Sequence, residues 1–285
     1  MIEIQVNERV LVYTVGGDSV ANAFGANAVV VKGADGLLLV DTLGNPVHAQ
    51  QVEQLLRRHT DAPIRYIVIT HHHTDHCLGA SWFARHGAPI ICQEDGSKLM
   101  ALETPELIER RLKVPELRPL FAEARTMEPD VTFREGLDLR LGRLPIEVRS
   151  MEGGHTGGDC YLYLPTERLL ICGDLLFLDY HFNYEHASMD TVRSPLAVFE
   201  RLGAEVLIPG HGRPTGPRGL DVQRHYHGTV ESIVSEGLDA QVDMGEIIAR
   251  LKAVFPEHQL ADALPFAIES VKRARRRAPR AEAQE

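Results

Sequence analysis

The densest chemistry in the chain is the run His71-His72-His73-Thr74-Asp75-His76. Imidazole nitrogen and carboxylate oxygen are both zinc ligands. In an extended segment residues i and i+2 point the same way, so His71 and His73 can grip one ion together. His72 is out of phase and is not expected to ligate. Asp75 and His76 lie beyond a turn and face a second position. A polar loop opening a helix, capped by Asp75, is the plainer alternative, but it leaves this concentration of histidine unexplained. Three more segments combine glycine with a ligand-type residue: Gly153-Gly154-His155-Thr156-Gly157-Gly158-Asp159, Cys172-Gly173-Asp174 and Pro209-Gly210-His211-Gly212. Each alone reads as a structural turn. Together they offer His155, Asp174 and His211 at strand ends, where loops converge.

These residues need elements to hold them. Val10 to Val15, Asn27 to Lys32 and Gly36 to Val40 read as strands separated by glycine-bearing turns. Ile64 to Thr70 is an apolar strand that delivers the histidine run. Pro46 to His59, Ser81 to His86 and Ser194 to Leu202 carry helical spacing, and the chain is helical from Leu220 onward. Further strands are expected at Pro89 to Cys92, around Leu137 to Leu141, and at Ile146 to Arg149, Cys160 to Leu164, Leu169 to Cys172 and Glu205 to Ile208. Glu94 to Arg125 reads as short helices broken by Pro105, Pro115 and Pro119. Strands in two groups with helices between them imply sheets covered by helices. Proline and glycine at Thr215 to Gly219 mark the best boundary, dividing the chain into 1–218 and a helical extension, 219–285.

Composition bounds the partners. The chain has 285 residues, 44% hydrophobic and 25% charged, with a formal net charge of -10. That is ordinary for a globular chain with an ample core. An acidic surface argues against nucleic acid as substrate. No apolar run approaches the roughly 18 residues that span a bilayer, and the N-terminus has no signal-peptide pattern. Cys77, Cys92, Cys160 and Cys172 form no paired spacing and read as free thiols. A cytoplasmic protein acting on a small molecule, without nucleic acid or membrane, is the expectation. The letters do not set the oligomeric state, a homodimer included.

In motif order, from about Gly25 to Gly212, the sequence resembles the metallo-β-lactamase superfamily. The motifs are Asp41, His71-x-His73-x-Asp75-His76, Gly154-His155, Gly173-Asp174 and Gly210-His211-Gly212. The resemblance implies an α/β (α+β) fold, a four-layer αβ/βα sandwich with a helical C-terminal extension. It implies that His71, His73 and His155 hold one metal, that Asp75, His76 and His211 hold another, and that Asp174 bridges them. Asp174 resembles the bridging carboxylate of the glyoxalase II and lactonase-like branches. The expected activity is that of a two-zinc hydrolase in which metal-bound hydroxide attacks the carbonyl of an ester, thioester, lactone or amide, with Asp75 orienting it. A mononuclear iron persulfide dioxygenase is a competing reading. So are β-lactam hydrolysis and a metal-stabilised binding protein without turnover.

Asp41 ends a strand near the expected metal edge and could take the second N–H of a ligand histidine; a turn-forming aspartate fits the letters equally well. The stretch Leu178 to His186 is aromatic and histidine-rich. It suggests that Tyr180, His181 and Tyr184 line a substrate pocket, with Tyr184 as a candidate catalytic donor, against the alternative of ordinary packing. Phe24, in the glycine-bearing loop Gly16 to Gly25, is a further pocket candidate, although a simple hairpin connection also suits that loop. The run Lys272 to Arg280 reads as a solvated basic helix end.

Overall fold

The computed structural model describes residues 1–277. A seven-stranded sheet comes first in the chain: β1 (Ile2–Gln5), β2 (Val10–Thr14), β3 (Asn27–Lys32), β4 (Leu37–Val40), β5 (Ile64–Ile69), β6 (Ile90–Gln93) and β7 (Val131–Phe133), paired in that order. The first four strands are antiparallel, and β4 to β7 run parallel. A five-stranded sheet follows, with β8 (Gly136–Leu141), β9 (Leu144–Met151), β10 (Asp159–Leu164), β11 (Leu169–Phe177) and β12 (Val206–His211) in the order β12-β11-β10-β9-β8.

Strand periodicity explains why both faces of the first sheet are apolar. Val10, Val12, Val29, Val31, Leu38, Val40 and Val68 point toward the second sheet, where Ile146, Val148, Leu162, Leu164 and Ile171 meet them. The alternate residues Leu11, Tyr13, Val30, Leu39, Ile67 and Ile69 pack outward under helices. These helices are α1 (Pro46–Leu56), α2 (Thr74–Cys77), α3 (Ala80–Phe83), α4 (Glu94–Leu112) and α5 (Arg118–Phe121). On the far side, Leu170, Cys172 and Leu207 pack on α6 (Ser194–Leu202) and on Leu220. The layers are therefore helix, sheet, sheet, helix, with the central core between the sheets.

The C-terminal helices are α7 (Arg218–Asp239), α8 (Met244–Val254) and α9 (Leu264–Arg277). They build a separate apolar cluster with the segment after β11. Phe177, Phe182, Tyr184 and Met189 pack there against Tyr226, Val230, Leu251 and Ile268. Of the basic run Lys272 to Arg280, residues 272–277 finish α9 and 278–280 lie outside the described residues. No helix among the described residues is long and apolar enough to cross a membrane.

One expectation fails clearly. Glu94 to Leu112 is a single helix with Pro105 inside it, not two short helices broken there, although the helix does end before Pro115. Gly96, Met100, Thr104 and Ile108 recur every fourth residue and are all buried. This continuous buried stripe holds the helix through the hydrogen bond that proline forfeits. The strands β1 and β7 also escaped the sequence reading. Each has only 4 or 3 residues and little alternation to mark it.

Candidate metal centre

The two sheets bring the ligand-type residues to one edge. β5 delivers His71 and His73, and the short α2 turn then presents Asp75 and His76. His155 sits in the loop between β9 and β10, where Asp159 Oδ2 accepts from the backbone N–H of His155 at 2.6 Å and of Thr156 at 2.8 Å. Asp174 lies within β11 and His211 ends β12. Gly210 is required beside Asp174, because a Cβ there would fall 1.9 Å from Asp174 Oδ1.

The candidate ligand atoms form two sets that meet at Asp174. In the first, His155 Nε2 is 2.9 Å from His73 Nδ1 and 3.3 Å from Asp174 Oδ2, and His71 Nε2 is 3.6 Å from the same oxygen. In the second, His76 Nε2 and His211 Nε2 are 3.3 Å apart and lie 3.5 and 3.3 Å from Asp75 Oδ2. Asp174 Oδ2 is 3.4 Å from His211 Nε2, and its Oδ1 is 3.1 Å from His76 Nε2. Ligands about 2.0–2.1 Å from a tetrahedral zinc stand about 3.3 Å from one another, which is the spacing seen here.

Hydrogen bonds on the far side of the rings fix what those atoms offer. His76 Nδ1 lies 2.8 Å from the Asp41 carboxylate, which can only accept. His211 Nδ1 lies 3.0 Å from the carbonyl of Phe24, which also only accepts. The Thr70 hydroxyl donates to Asp41 Oδ2, so the 3.1 Å contact with His71 Nδ1 must be donated by the histidine. All three neutral rings therefore carry their proton on Nδ1 and turn an Nε2 lone pair inward. His71 Nε2 and Asp174 Oδ1 are buried and have no hydrogen-bond partner. Lone pairs converging on carboxylate oxygens call for a cation, so the donor set fits bound metal.

The electrostatics agree. With protons as the cation, burial works against charging His76, but Asp174, Asp75 and Asp41 outweigh it and hold its pKa well above the usual range. His211 is pushed up to about 9, against burial, chiefly by Asp174. Burial dominates at His71 and His73 and holds both well below the usual range. Burial disfavours the Asp174 carboxylate, yet His76, His211 and His71 together keep its pKa well below that of an ordinary aspartate.

The sequence pattern of the metallo-beta-lactamase superfamily matches residues 21–211, which span every ligand above. The chain belongs to the metallo-beta-lactamase superfamily. It is similar to a linear primary-alkylsulfatase from Pseudomonas sp., at 24% identity over 66% of this chain and 42% of that protein. It is also similar to the 2,4-dinitroanisole O-demethylase subunit alpha from Nocardioides sp., at 29% identity over 76% of this chain and 61% of that one. The matches thus span less than two thirds of either relative. A metallo-beta-lactamase from Pontibacter korlensis superposes with a TM-score of 0.66 at 19% identity, over 80% of this chain and 98% of the other, and shows the shared fold.

In this superfamily member the metal edge opens into a cavity of about 550 Å³. Phe24 lines it, with His73, Asp75, Asp174 and His211 at its floor. Phe24 is in the left-handed conformation, φ 50°, with its carbonyl on His211 Nδ1. Three expected pocket residues do not line the cavity. Tyr184 is fully buried, with its hydroxyl 2.6 Å from His227 Nδ1 in α7. His181 bonds through Nδ1 to the Tyr226 hydroxyl at 3.1 Å. Tyr180 packs beside the His211 ring, 5.5 Å between centroids, and its hydroxyl reaches Gly17. The segment after β11 turns under the C-terminal helices, so its aromatics serve as core.

Other lining residues were missed. His186, at the end of that same stretch, faces the cavity and holds His73 Nε2 through Nδ1 at 3.1 Å. His72 bonds through Nε2 to Glu103 of α4 at 3.1 Å. Arg110 and Arg111 also reach the cavity from α4. The charged composition of α4 was the available signal, and reading it as short helices broken at Pro105 hid the face it presents. The four cysteines are free and buried.

Proposed function

We propose that the chain is a two-zinc hydrolase that cleaves a small-molecule ester, thioester, lactone or amide. The observation that carries this reading is the position of Asp174 Oδ2, 3.3–3.6 Å from Nε2 of His71, His155 and His211, and so common to both ligand sets. A purely structural zinc needs only one closed set of four ligands. His71, His73, His155 and Asp174 would hold one ion, and Asp75, His76, His211 and Asp174 the other. Zinc supplies a water of near-neutral pKa and a Lewis acid for the carbonyl oxygen. Asp41, Thr70 and the Phe24 carbonyl fix the histidine tautomers so that no ring must turn during the reaction. Asp75, at the cavity floor, would orient the attacking water. Phe177, stacked on His211 at 4.6 Å, keeps bulk water from that side.

The relatives' names cover an alkylsulfatase and an O-demethylase, so a substrate panel must reach beyond carbonyl compounds. The test is metal analysis of protein purified without added metal, followed by turnover of esters, thioesters, lactones, β-lactams, alkyl sulfates and aryl methyl ethers. Two zinc per chain, with hydrolysis of a carbonyl substrate lost in Asp174→Asn, is the expected result. One iron per chain with oxygen consumption would replace this reading with a dioxygenase.

A further inference from the structure

Arg111 has an unusual setting for a cation. It lies in the last turn of α4, half-buried, and its guanidinium donates to the Thr74 hydroxyl. It stands 4.9 Å from the centroid of the Phe121 ring. No carboxylate among the described residues forms an ion pair with it, whereas other arginines such as Arg149, Arg193 and Arg275 are so paired. Burial works against its charge, and the opposing carboxylate that offsets this most is Asp75, already placed among the metal ligands. A guanidinium has five N–H donors in a planar fork, and most of those of Arg111 are uncommitted.

The cavity gives that fork something to do. Arg111 lines it one residue from a metal ligand, because Thr74 precedes Asp75. Leu102, Leu107 and Phe266 line the same cavity and make an apolar wall. Of the lining carboxylates outside the metal centre, Glu103 is engaged by His72, while Glu106, Glu185 and Asp262 are exposed at the rim, where water screens them.

We infer that Arg111 recognises an oxyanion on the substrate, and that the substrate is an amphiphile with a carboxylate, sulfate or sulfonate on Arg111 and an apolar body along Leu102, Leu107 and Phe266. The reaction assigned to this substrate rests on the proposed hydrolase function; the binding does not. Bidentate contact with a planar or tetrahedral oxyanion is the geometry that arginine provides and lysine does not.

Calorimetry on the zinc-loaded full chain tests the binding, with octane-1-sulfonate and 1-octanol as probes. The sulfonate is expected to bind about tenfold or more tightly than the alcohol, the scale of a charge-assisted hydrogen bond. Arg111→Met should erase that preference, and Arg111→Lys should keep only part of it. Equal affinity for the two probes in the wild type, or a preference that survives Arg111→Met, overturns the inference. The kinetic arm compares mono-4-nitrophenyl glutarate with 4-nitrophenyl butyrate. Arg111→Met should raise KM for the charged ester about 10- to 100-fold more than for the neutral one. An equal effect on both would make Arg111 a structural strut and sink the idea. A sulfonate preference that depends on Arg111 with neither ester turned over would instead count against the hydrolase reading and leave the oxyanion site standing.

Discussion

The Asp41 carboxylate lies 2.8 Å from Nδ1 of His76, and both side chains are buried. Asp41 Oδ1 also accepts from the Thr70 backbone N–H at 2.8 Å, so the carboxylate ties the end of β4 to the end of β5. At φ 59° it occupies the left-handed region, where aspartate and asparagine are the best tolerated non-glycine residues. Asp41→Asn should therefore keep the backbone, but it removes the charge behind His76 and puts an NH2 donor where one carboxylate oxygen accepts from Thr70 or His76. Zinc affinity should fall about 10- to 100-fold, as for other residues that orient a ligand. Competition with a chromophoric chelator measures it, and unchanged affinity would show that His76 needs no such partner.

Gly210 makes a second prediction. A Cβ at this position would meet Asp174 Oδ1 at 1.9 Å and the backbone of Gly173 at 2.7 Å. Gly210→Ala must push β12 away from β11 or turn the Asp174 carboxylate. Stability should drop by about 1–3 kcal/mol, the usual cost of overpacking, and bound metal should fall below the wild-type content. Thermal melts and metal analysis on the same sample separate the two effects.

Tyr184 should be catalytically silent. Its hydroxyl is enclosed with His227, which also receives an N–H from Gln223 Nε2 at 2.9 Å. Phe177 N donates to Gln223 Oε1 and thereby sets the amide's orientation. Tyr184→Phe leaves a buried His227 N–H without an acceptor. The expected outcome is a loss of about 1–3 kcal/mol of stability with kcat/KM within about twofold of wild type. A large fall in kcat/KM at full zinc occupancy would return Tyr184 to the active site.

Buried histidines away from the metal edge set an acid limit. Burial lowers the pKa of His227 to about 3, and those of His48 and His181 to about 4, from the ordinary 6.5. Between pH 6.5 and those values the unfolded chain binds protons that the folded chain refuses, so stability rises with pH across this window and is lost on acidification. Denaturant melts of metal-free protein from pH 7 to pH 4 should show that slope, and His227→Gln should flatten it. An identical slope in the variant would place the acid sensitivity elsewhere.

The candidate metal centre was legible as a cluster because its histidines and aspartates sit in short sequence-local motifs whose residue types have few other uses. His71 to His76 needs only a strand and a turn to become a site. The sandwich was legible for a similar reason, since β2 to β5 are apolar on both faces. The cavity wall was not. Arg111 faces it only because α4 persists through Pro105, and that depends on Met100 and Ile108 finding the first sheet's helical layer. Tyr180, His181 and Tyr184 misled for the converse reason. An aromatic stretch after a metal-bearing strand looks like a pocket lining until α7 and α9 are known to cover it.

The candidate ligands are divided between the two sheets, with His71 to His76 on one and His155, Asp174 and His211 on the other. The second set cannot close before residue 211 has been synthesised and β12 has docked beside β11. Long-range pairing of this kind is slow, because loop-closure entropy is lost before contacts repay it. The cluster of Asp75, His76 and His211 is thus completed late in the life of the nascent chain, whereas His71, His73, His155 and Asp174 can gather as soon as β11 has joined the second sheet.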